Sequence, residues 1–223
     1  MSDFTGLSGA EHAFGESEAQ REVRENDRQY VFHSWSAQDA INPLPIAKGE
    51  GVRFWDYDGT EYLDFSSQLV NLNLGHQHPG LVKAIQEQAG RLATIQPAMA
   101  NDVRGELAKR IVEHSFEGAR SVFFTNGGAD ANEYAVRMAR HHTGRQKVLA
   151  RYRSYHGSTA TAITLTGEPR RWANGTIDSG VVHFQGPYLY RSAFYAETPE
   201  QETERALAHL EQTIQLEGPN TIA

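Results

Sequence analysis

The spacing of apolar residues changes character along the chain. Residues 1 to about 18 are rich in Gly, Ser and Glu with no period, which predicts a mobile arm. A short polar helix is expected over about 18 to 31, followed by the irregular aromatic stretch YVFHSWSAQ and the breaks at Pro43 and Pro45. In GVRFWDYDGTEYLDFSS two runs of aromatic and β-branched residues flank Asp58-Gly59, which predicts a β-hairpin at about 51 to 66. Pro79 then opens a window in which Leu81, Val82, Ile85, Ala89 and Leu92 recur at helical spacing. NDVRGELAKRIVEHS repeats that pattern with Asn101 or Asp102 as cap.

From residue 120 short apolar strands alternate with helical windows: SVFFT, ADANEYAVRMARHH, KVLARY, a turn with TATAIT, and GVVHF near 180. A last helix is expected from about 199 to 217. Strands alternating with helices imply βαβ units. The expected fold class is therefore α/β, a mainly parallel sheet flanked by helices and preceded by a small N-terminal segment with a β-hairpin. Asn220 to Ala223 read as the beginning of a further strand, so the sequence looks cut inside a fold; a natural tail after a terminal helix is the other reading.

Composition narrows the partners. With 21 Lys and Arg against 28 Asp and Glu, the net charge is −7, and no general basic field exists to gather nucleic acid or anionic lipid. The 223 residues contain no cysteine, which removes disulfides and thiolate chemistry and fits a cytoplasmic protein. No apolar run approaches a membrane span and the start of the chain is polar, so no membrane partner is expected.

The strongest local signal is SVFFTNGGADANEYAVRMAR, in which an expected strand runs through Asn126-Gly127-Gly128 into a helix. Glycines let backbone approach a ligand closely, and a helix start offers free N–H groups, so Gly127, Gly128 and Ala129 could cradle a phosphate. A tight turn using glycine for geometry alone is the competing reading. The second signal is Tyr155-His156-Gly157, which follows the strand KVLARY and so falls at the carboxyl edge of the sheet, where open α/β folds bind ligands. Tyr155 could lay its ring on a planar group, with packing as the ordinary alternative. His76 and His78 precede a helix without a third ligand at suitable spacing, so they read as loop-orienting groups and no metal is expected. Asp56 and Asp58 fall in the hairpin turn, where solvation is the default, and Tyr30, Phe32, Trp35 and Trp55 read as core or interface.

FWDYDGTEYLDFSS, NLNLGHQHPGLVKAI, FFTNGGADANEYAVRMAR and RYRSYHGST, in this order, resemble class III aminotransferases, the ω-transaminase and ornithine-type branch of the pyridoxal phosphate enzymes. The resemblance runs from about residue 30 to 223. It implies transfer of an amino group from an amine or amino acid to a 2-oxo acid or aldehyde, a homodimer, and pyridoxal 5'-phosphate as cofactor. It also implies that Gly127, Gly128 and Ala129 are the phosphate cup, that Tyr155 stacks on the pyridine ring beside His156 and Gly157, and that Trp35 and the Ser67 to Asn71 loop, Leu69 included, line the substrate pocket. The domain reading is then 1–18 arm, 19–75 N-terminal segment with the hairpin, and 76–223 an incomplete cofactor-binding large domain. Many members carry Ser-Gly-Ala-Glu or Ser-Gly-Ser-Glu where this chain has Gly127-Gly128-Ala129-Asp130, so a hydroxyl contact is lost and the backbone carries more of the phosphate.

The cofactor-linking lysine and the carboxylate that pairs with the pyridine nitrogen are expected beyond Ala223, leaving no catalytic residue in this chain and the chain alone inactive. Lys48 precedes a turn, Lys83 and Lys109 belong to amphipathic helices, and Lys147 starts a strand at the end away from the ligand edge. An aminomutase or racemase on the same scaffold and a non-catalytic module binding a phosphorylated ligand are the alternatives.

Overall fold

The computed structural model describes residues 15–174 and 179–223, so most of the expected arm lies outside the described residues. The chain forms two compact units that divide between Asn101 and Asp102.

In the first unit, α1 (Glu18–Tyr30) begins at Ser17, whose hydroxyl accepts from Gln20 N at 3.2 Å. The helix is tied to the hairpin through Gln20, whose side-chain oxygen accepts from Asp58 N at 3.2 Å, while Asp58 Oδ1 accepts from Ser17 N at 3.2 Å. The hairpin pairs β2 (Arg53–Asp56) with β3 (Glu61–Leu63), Phe54 opposite Tyr62. Asp56 N donates to Thr60 O, so the loop is Tyr57, Asp58 and Gly59, with Gly59 at φ +83° taking the left-handed position that closes such loops. A further strand, β1 (Ile46–Glu50), starts directly after Pro45 and makes the sheet three-stranded and antiparallel in the order β1-β2-β3.

One expectation is corrected here and two are made more definite. Asp56 is 2% exposed instead of solvated. Its Oδ1 accepts from Asp58 N at 3.0 Å and Thr60 N at 2.8 Å, and its Oδ2 from the Tyr62 hydroxyl at 3.0 Å, so it organises the turn. Burial pushes its carboxyl up, and these donors outweigh the burial and leave it below the usual aspartate value. Lys48 lies within β1, ahead of the turn at Gly51 and Val52, and stands opposite Trp55 with its ammonium 4.6 Å from the indole centroid. Tyr30, Phe32 and Trp35 are exposed in the chain, so of the two readings, core or interface, the core one falls.

Ser67–Val70 forms α2, a single helical turn with φ between +50° and +65° at every residue, which makes it left-handed. Such a turn costs about 1–2 kcal/mol per non-glycine residue. Asp64 supports it by accepting from Gln68 N at 3.3 Å and Gln68 Nε2 at 3.2 Å, and Asn71 Nδ2 donates to Gln68 O at 3.0 Å. α3 (Pro79–Arg91) follows with His78 as its N-cap.

The second unit opens with α4 (Asp102–Glu113). α5 (Gly128–Thr143) ends at Gly144 in the left-handed conformation and leads to β4 (Val148–Arg151). α6 (Ala160–Leu165) then precedes β5 (Val181–Phe184), and α7 (Pro199–Glu217) follows. β4 and β5 pair in parallel, from Val148 against Val181 to Arg151 against Phe184. On the other side of β4, Lys147 N donates to Thr221 O at 2.9 Å and Ala223 N to Lys147 O at 2.8 Å, a parallel bridge. The architecture is thus mixed α/β, with a small antiparallel sheet in one unit and a two-stranded parallel sheet in the other.

Val136 of α5, Ala150 of β4 and Leu165 of α6 form the core of this unit, with Val148 and Val181 against it. Ala162, Ile163, Thr164 and Leu165 are all buried, and full burial of Ile163 or Leu165 contributes about 1.5–3 kcal/mol each. No ladder forms at Ser121–Thr125, where a strand is expected. Valine and phenylalanine favour extended backbone, yet a strand needs a partner, and among the described residues this segment has none. No helix among the described residues is long and apolar enough to cross a membrane.

Candidate ligand site

The start of α5 is where the expected site residues meet. Gly127 is the N-cap, with extended backbone and no side-chain hydrogen bond to the first turn. Its carbonyl accepts from Ala131 N at 3.0 Å and from the Thr125 hydroxyl at 3.0 Å. Open space lies where Gly127 and Gly128 would carry a Cβ. A helix of this length concentrates a partial positive charge at its uncapped N–H groups, which suits an oxyanion.

The loop after β4 is pinned against this helix start. Gly157, at φ +127°, sits so close that a Cβ there would lie 2.5 Å from Ala129 Cβ and 2.9 Å from Ala129 Cα. Asn132 Nδ2, one turn into α5, donates to His156 O at 2.7 Å, and His156 N donates to the Thr166 hydroxyl at 3.1 Å. The segment 155–157 is therefore fixed from both sides.

Tyr155 is 42% exposed, its hydroxyl 2.8 Å from Ser158 Oγ, and the Arg170 guanidinium lies over its ring at 4.1 Å from the centroid. Arg170 also pairs with Glu168. The structure thus places Gly127, Gly128, Ala129, Tyr155, His156 and Gly157 around one helix start.

Two residues that sequence reasoning passed over hold this arrangement, Asn132 and Glu133. Glu133 Oε1 accepts from Thr161 N at 2.7 Å and Ala162 N at 3.3 Å, so a carboxylate of α5 caps α6. Burial raises the Glu133 carboxyl, and the donors at the start of α6 outweigh it, leaving the group below the usual glutamate value. The signal available was a pair of polar residues at the beginning of an otherwise amphipathic helix. Nearby, His183 of β5 approaches Leu165 O at 3.1 Å through Nε2 and stacks on Tyr152 at 5.2 Å. Burial, and then Arg171, push its imidazole down.

The remaining candidates belong to the first unit. Trp35 has φ +60°, and Leu69 is 87% exposed within the left-handed turn. A cavity of about 510 Å³, lined by Val52, Asp64, Ser67, Leu72 and Leu74, opens beside that turn. His78 Nδ1 accepts from Leu81 N at 3.4 Å at the start of α3, whereas His76 Nε2 contacts the Asp64 carboxylate Oδ2 at 2.8 Å. Among the described residues no group of three or more His, Cys, Asp or Glu is arranged to hold a metal.

Comparison with known proteins gives these residues a context. The family model for class-III aminotransferases matches residues 35–223. The acetylornithine aminotransferase of Caldanaerobacter subterraneus subsp. tengcongensis is 42% identical over 150 residues, covering 65% of this chain and 37% of that protein. The uncharacterized aminotransferase YhxA of Bacillus subtilis is 31% identical over 189 residues, 82% of this chain and 42% of its own length. Among solved structures, a taurine:2-oxoglutarate aminotransferase from Bifidobacterium kashiwanohense in complex with PLP and glutamate superimposes with a TM-score of 0.86 at 42% identity, over 93% of this chain and 47% of that one. The omega transaminase from Pseudomonas jessenii in complex with PMP gives 0.84 at 30% identity, over 90% of this chain and 47% of that one. The chain spans about half the length of the solved relatives it matches, and less of the curated ones.

Proposed function

The chain belongs to the class III aminotransferase family, and from that premise we propose that it supplies the cofactor seat of a pyridoxal phosphate-dependent transaminase acting on a small amine or amino acid and an oxo acceptor. The observation that carries this reading is the packing of Gly157 against Ala129, which sets Tyr155 and His156 beside the uncapped start of α5. An anion and a planar ring on one small molecule need those two features side by side, so the residues present fit the cofactor.

In this reading the N–H groups of Gly128 and Ala129 hold the phosphate, with Gly127 leaving them room. Tyr155 presents its ring to the pyridine, and Asn132 fixes the backbone of His156 so that the ring platform and the phosphate seat keep one spacing. Asp130 stands in the first turn, so the backbone N–H groups must hold the phosphate beside a carboxylate. Trp35 and Leu69 contribute to the substrate pocket. When bound, pyridoxal phosphate supplies the electron sink and the carbonyl that accepts the amino group.

The four lysines do not suit the cofactor-linking role. Lys48 covers Trp55, Lys83 and Lys109 face Glu87 and Glu113 on their own helices, and Lys147 donates to Glu217 O at 2.6 Å and to Glu217 Oε2 at 2.7 Å. Lys147 also precedes β4, whereas Tyr155 follows it. We therefore place that lysine and the ring-nitrogen carboxylate outside these residues. The cytoplasmic location and the homodimer belong to the same proposal.

The test uses the intact protein: visible absorbance bleached by borohydride, and amino transfer from a panel of amines to pyruvate and to 2-oxoglutarate. A cofactor-dependent band with transfer supports the reading. A folded protein that takes up no pyridoxal phosphate overturns it, and a product that is an isomer of the donor assigns the chemistry to an aminomutase or racemase.

A further inference from the structure

The loops that leave the carboxyl ends of β4 and β5 enclose a pocket of about 300 Å³ whose lining includes Arg151, Arg153 and Arg191 with Tyr152, Tyr188 and Gln185. No acidic side chain among the described residues lines it. None of the three guanidinium groups pairs with a carboxylate among the described residues, in a chain whose net charge is −7. Three arginines lining one pocket repel one another, and no carboxylate of the described residues is placed to offset that charge.

The walls of the pocket are held in place. Arg151 ends β4 opposite Phe184, and its aliphatic stem crosses Gly186, where any larger residue would collide with it. Arg153 has φ +61°, its N–H donates to Gly167 O at 2.8 Å, and its guanidinium lies 5.1 Å from the Tyr188 ring centroid. Arg191 N donates to Tyr188 O at 3.1 Å, and its guanidinium lies 5.7 Å from the Tyr190 ring centroid.

Behind this wall α7 supplies the anchors. Glu202, 3% exposed, accepts from Tyr188 N at 2.6 Å, and Arg205 donates to the carbonyls of Phe194 at 3.0 Å and Tyr195 at 2.7 Å. Glu202 Oε1 thus serves the backbone of this loop, its buried Oε2 has no hydrogen-bond partner, and among the described residues Glu202 makes no ion pair with the three arginines.

We propose that this pocket binds a small molecule carrying at least two oxyanionic groups, carboxylate or phosphate. Planar guanidinium forks match both groups geometrically, and preorganised walls lower the entropy lost on binding. The volume, at the lower end of small-molecule pockets, suits a compact polyanion.

The test titrates the intact protein, with and without pyridoxal phosphate, with pyrophosphate in one arm and tricarballylate in the other, by calorimetry at several salt concentrations. Saturable one-site binding that weakens as salt rises is expected, and the tighter arm identifies the oxyanion class. Arg153→Gln and Arg191→Gln each weaken it about tenfold or more, the loss of one charge-assisted pair. Arg28→Gln, which removes an equal charge from α1, leaves it unchanged. Arg153→Lys, which keeps the charge and loses the fork, gives an intermediate loss. Three outcomes would overturn the proposal: no saturable binding of either probe, equal weakening by Arg28→Gln, or undiminished binding in an Arg153→Gln/Arg191→Gln double variant that melts like the parent. Binding abolished by Gly128→Val alone would overturn it too, by placing the probe at the start of α5.

Discussion

Replacing Gly157 with alanine adds one carbon at the place where the ring platform meets the helix start. That carbon would lie 2.5 Å from Ala129 Cβ, 2.9 Å from Ala129 Cα and 3.1 Å from Ala162 Cβ, all inside normal contact, and all three are fixed by the backbones of α5 and α6. The backbone cost comes on top, because φ +127° is a region that residues with a side chain rarely adopt. Strain of about 1–2 kcal/mol and overpacking of about 1–3 kcal/mol together predict a loss of roughly 2–5 kcal/mol. For a domain of this size that lowers Tm by roughly 4–20 °C. The functional consequence is separate from the stability loss, since the loop relieves the clash by moving away from α5 and carries Tyr155 with it. The assay is a thermal melt paired with a pyridoxal phosphate titration followed by fluorescence, on Gly157→Ala and on Gln215→Ala, an exposed position of α7, as control. Gln215→Ala should stay near the parent in both. A Gly157→Ala protein with the parent's Tm and cofactor affinity would refute the packing argument and with it the geometry of the seat.

Gly128→Val should reduce cofactor affinity at least tenfold by filling the open space in front of the helix start, and a folded variant with full affinity would remove the phosphate assignment. Tyr155→Ala should weaken cofactor binding by about 1–3 kcal/mol if ring stacking is comparable to base stacking, read in the same titration. Glu133→Gln tests the cap on α6 through pH. Because the folded carboxyl lies below its ordinary value, its stabilisation is complete above the ordinary glutamate pKa and is lost as pH falls through the lowered one. The parent should therefore lose stability below about pH 4 more steeply than the variant, and parallel melting curves across that window would refute the assignment.

Elements with a repeating pattern were legible in the residues alone. α1, α3, α4, α5 and α7 each carry helical spacing or a cap, and Asp58-Gly59 announced the hairpin. What stayed hidden depends on partners distant in sequence. β1 follows two prolines, includes Lys48, Gly49 and Glu50, and exists because β2 offers a ladder. α6 is too short to persist by propensity and is capped by Glu133 from 28 residues upstream. The left-handed turn at Ser67–Val70 has no composition that favours it; Asp64 and Asn71 hold it from outside. The same division runs through the candidate site. Gly127, Gly128 and Tyr155 stood out as a glycine turn and an aromatic at a strand end, whereas Asn132 and Glu133 look in the sequence like ordinary polar positions of an amphipathic helix.

Those two positions explain why the seat can behave as one body. Asn132 holds the carbonyl of His156 and Glu133 holds the first N–H groups of α6, so consecutive residues of α5 grip the segment 156–162 near both ends. Gly157, between these grips, rests on Ala129, a residue of the same helix one turn earlier. A displacement of α5 therefore carries the loop with it, and the distance from the Gly128 N–H to the Tyr155 ring is set within one packed unit instead of across a flexible link. If the proposed cofactor binds here, its phosphate and ring need a fixed spacing between the Gly128 N–H and the Tyr155 ring, and Asn132 and Glu133 would maintain that spacing without touching either group. It follows that Asn132→Ala should weaken cofactor binding while leaving both receptors chemically intact. The loss should be smaller for free phosphate, which uses only the helix start, than for pyridoxal phosphate, which uses both. Equal losses for the two ligands would mean that Asn132 acts on the phosphate seat alone.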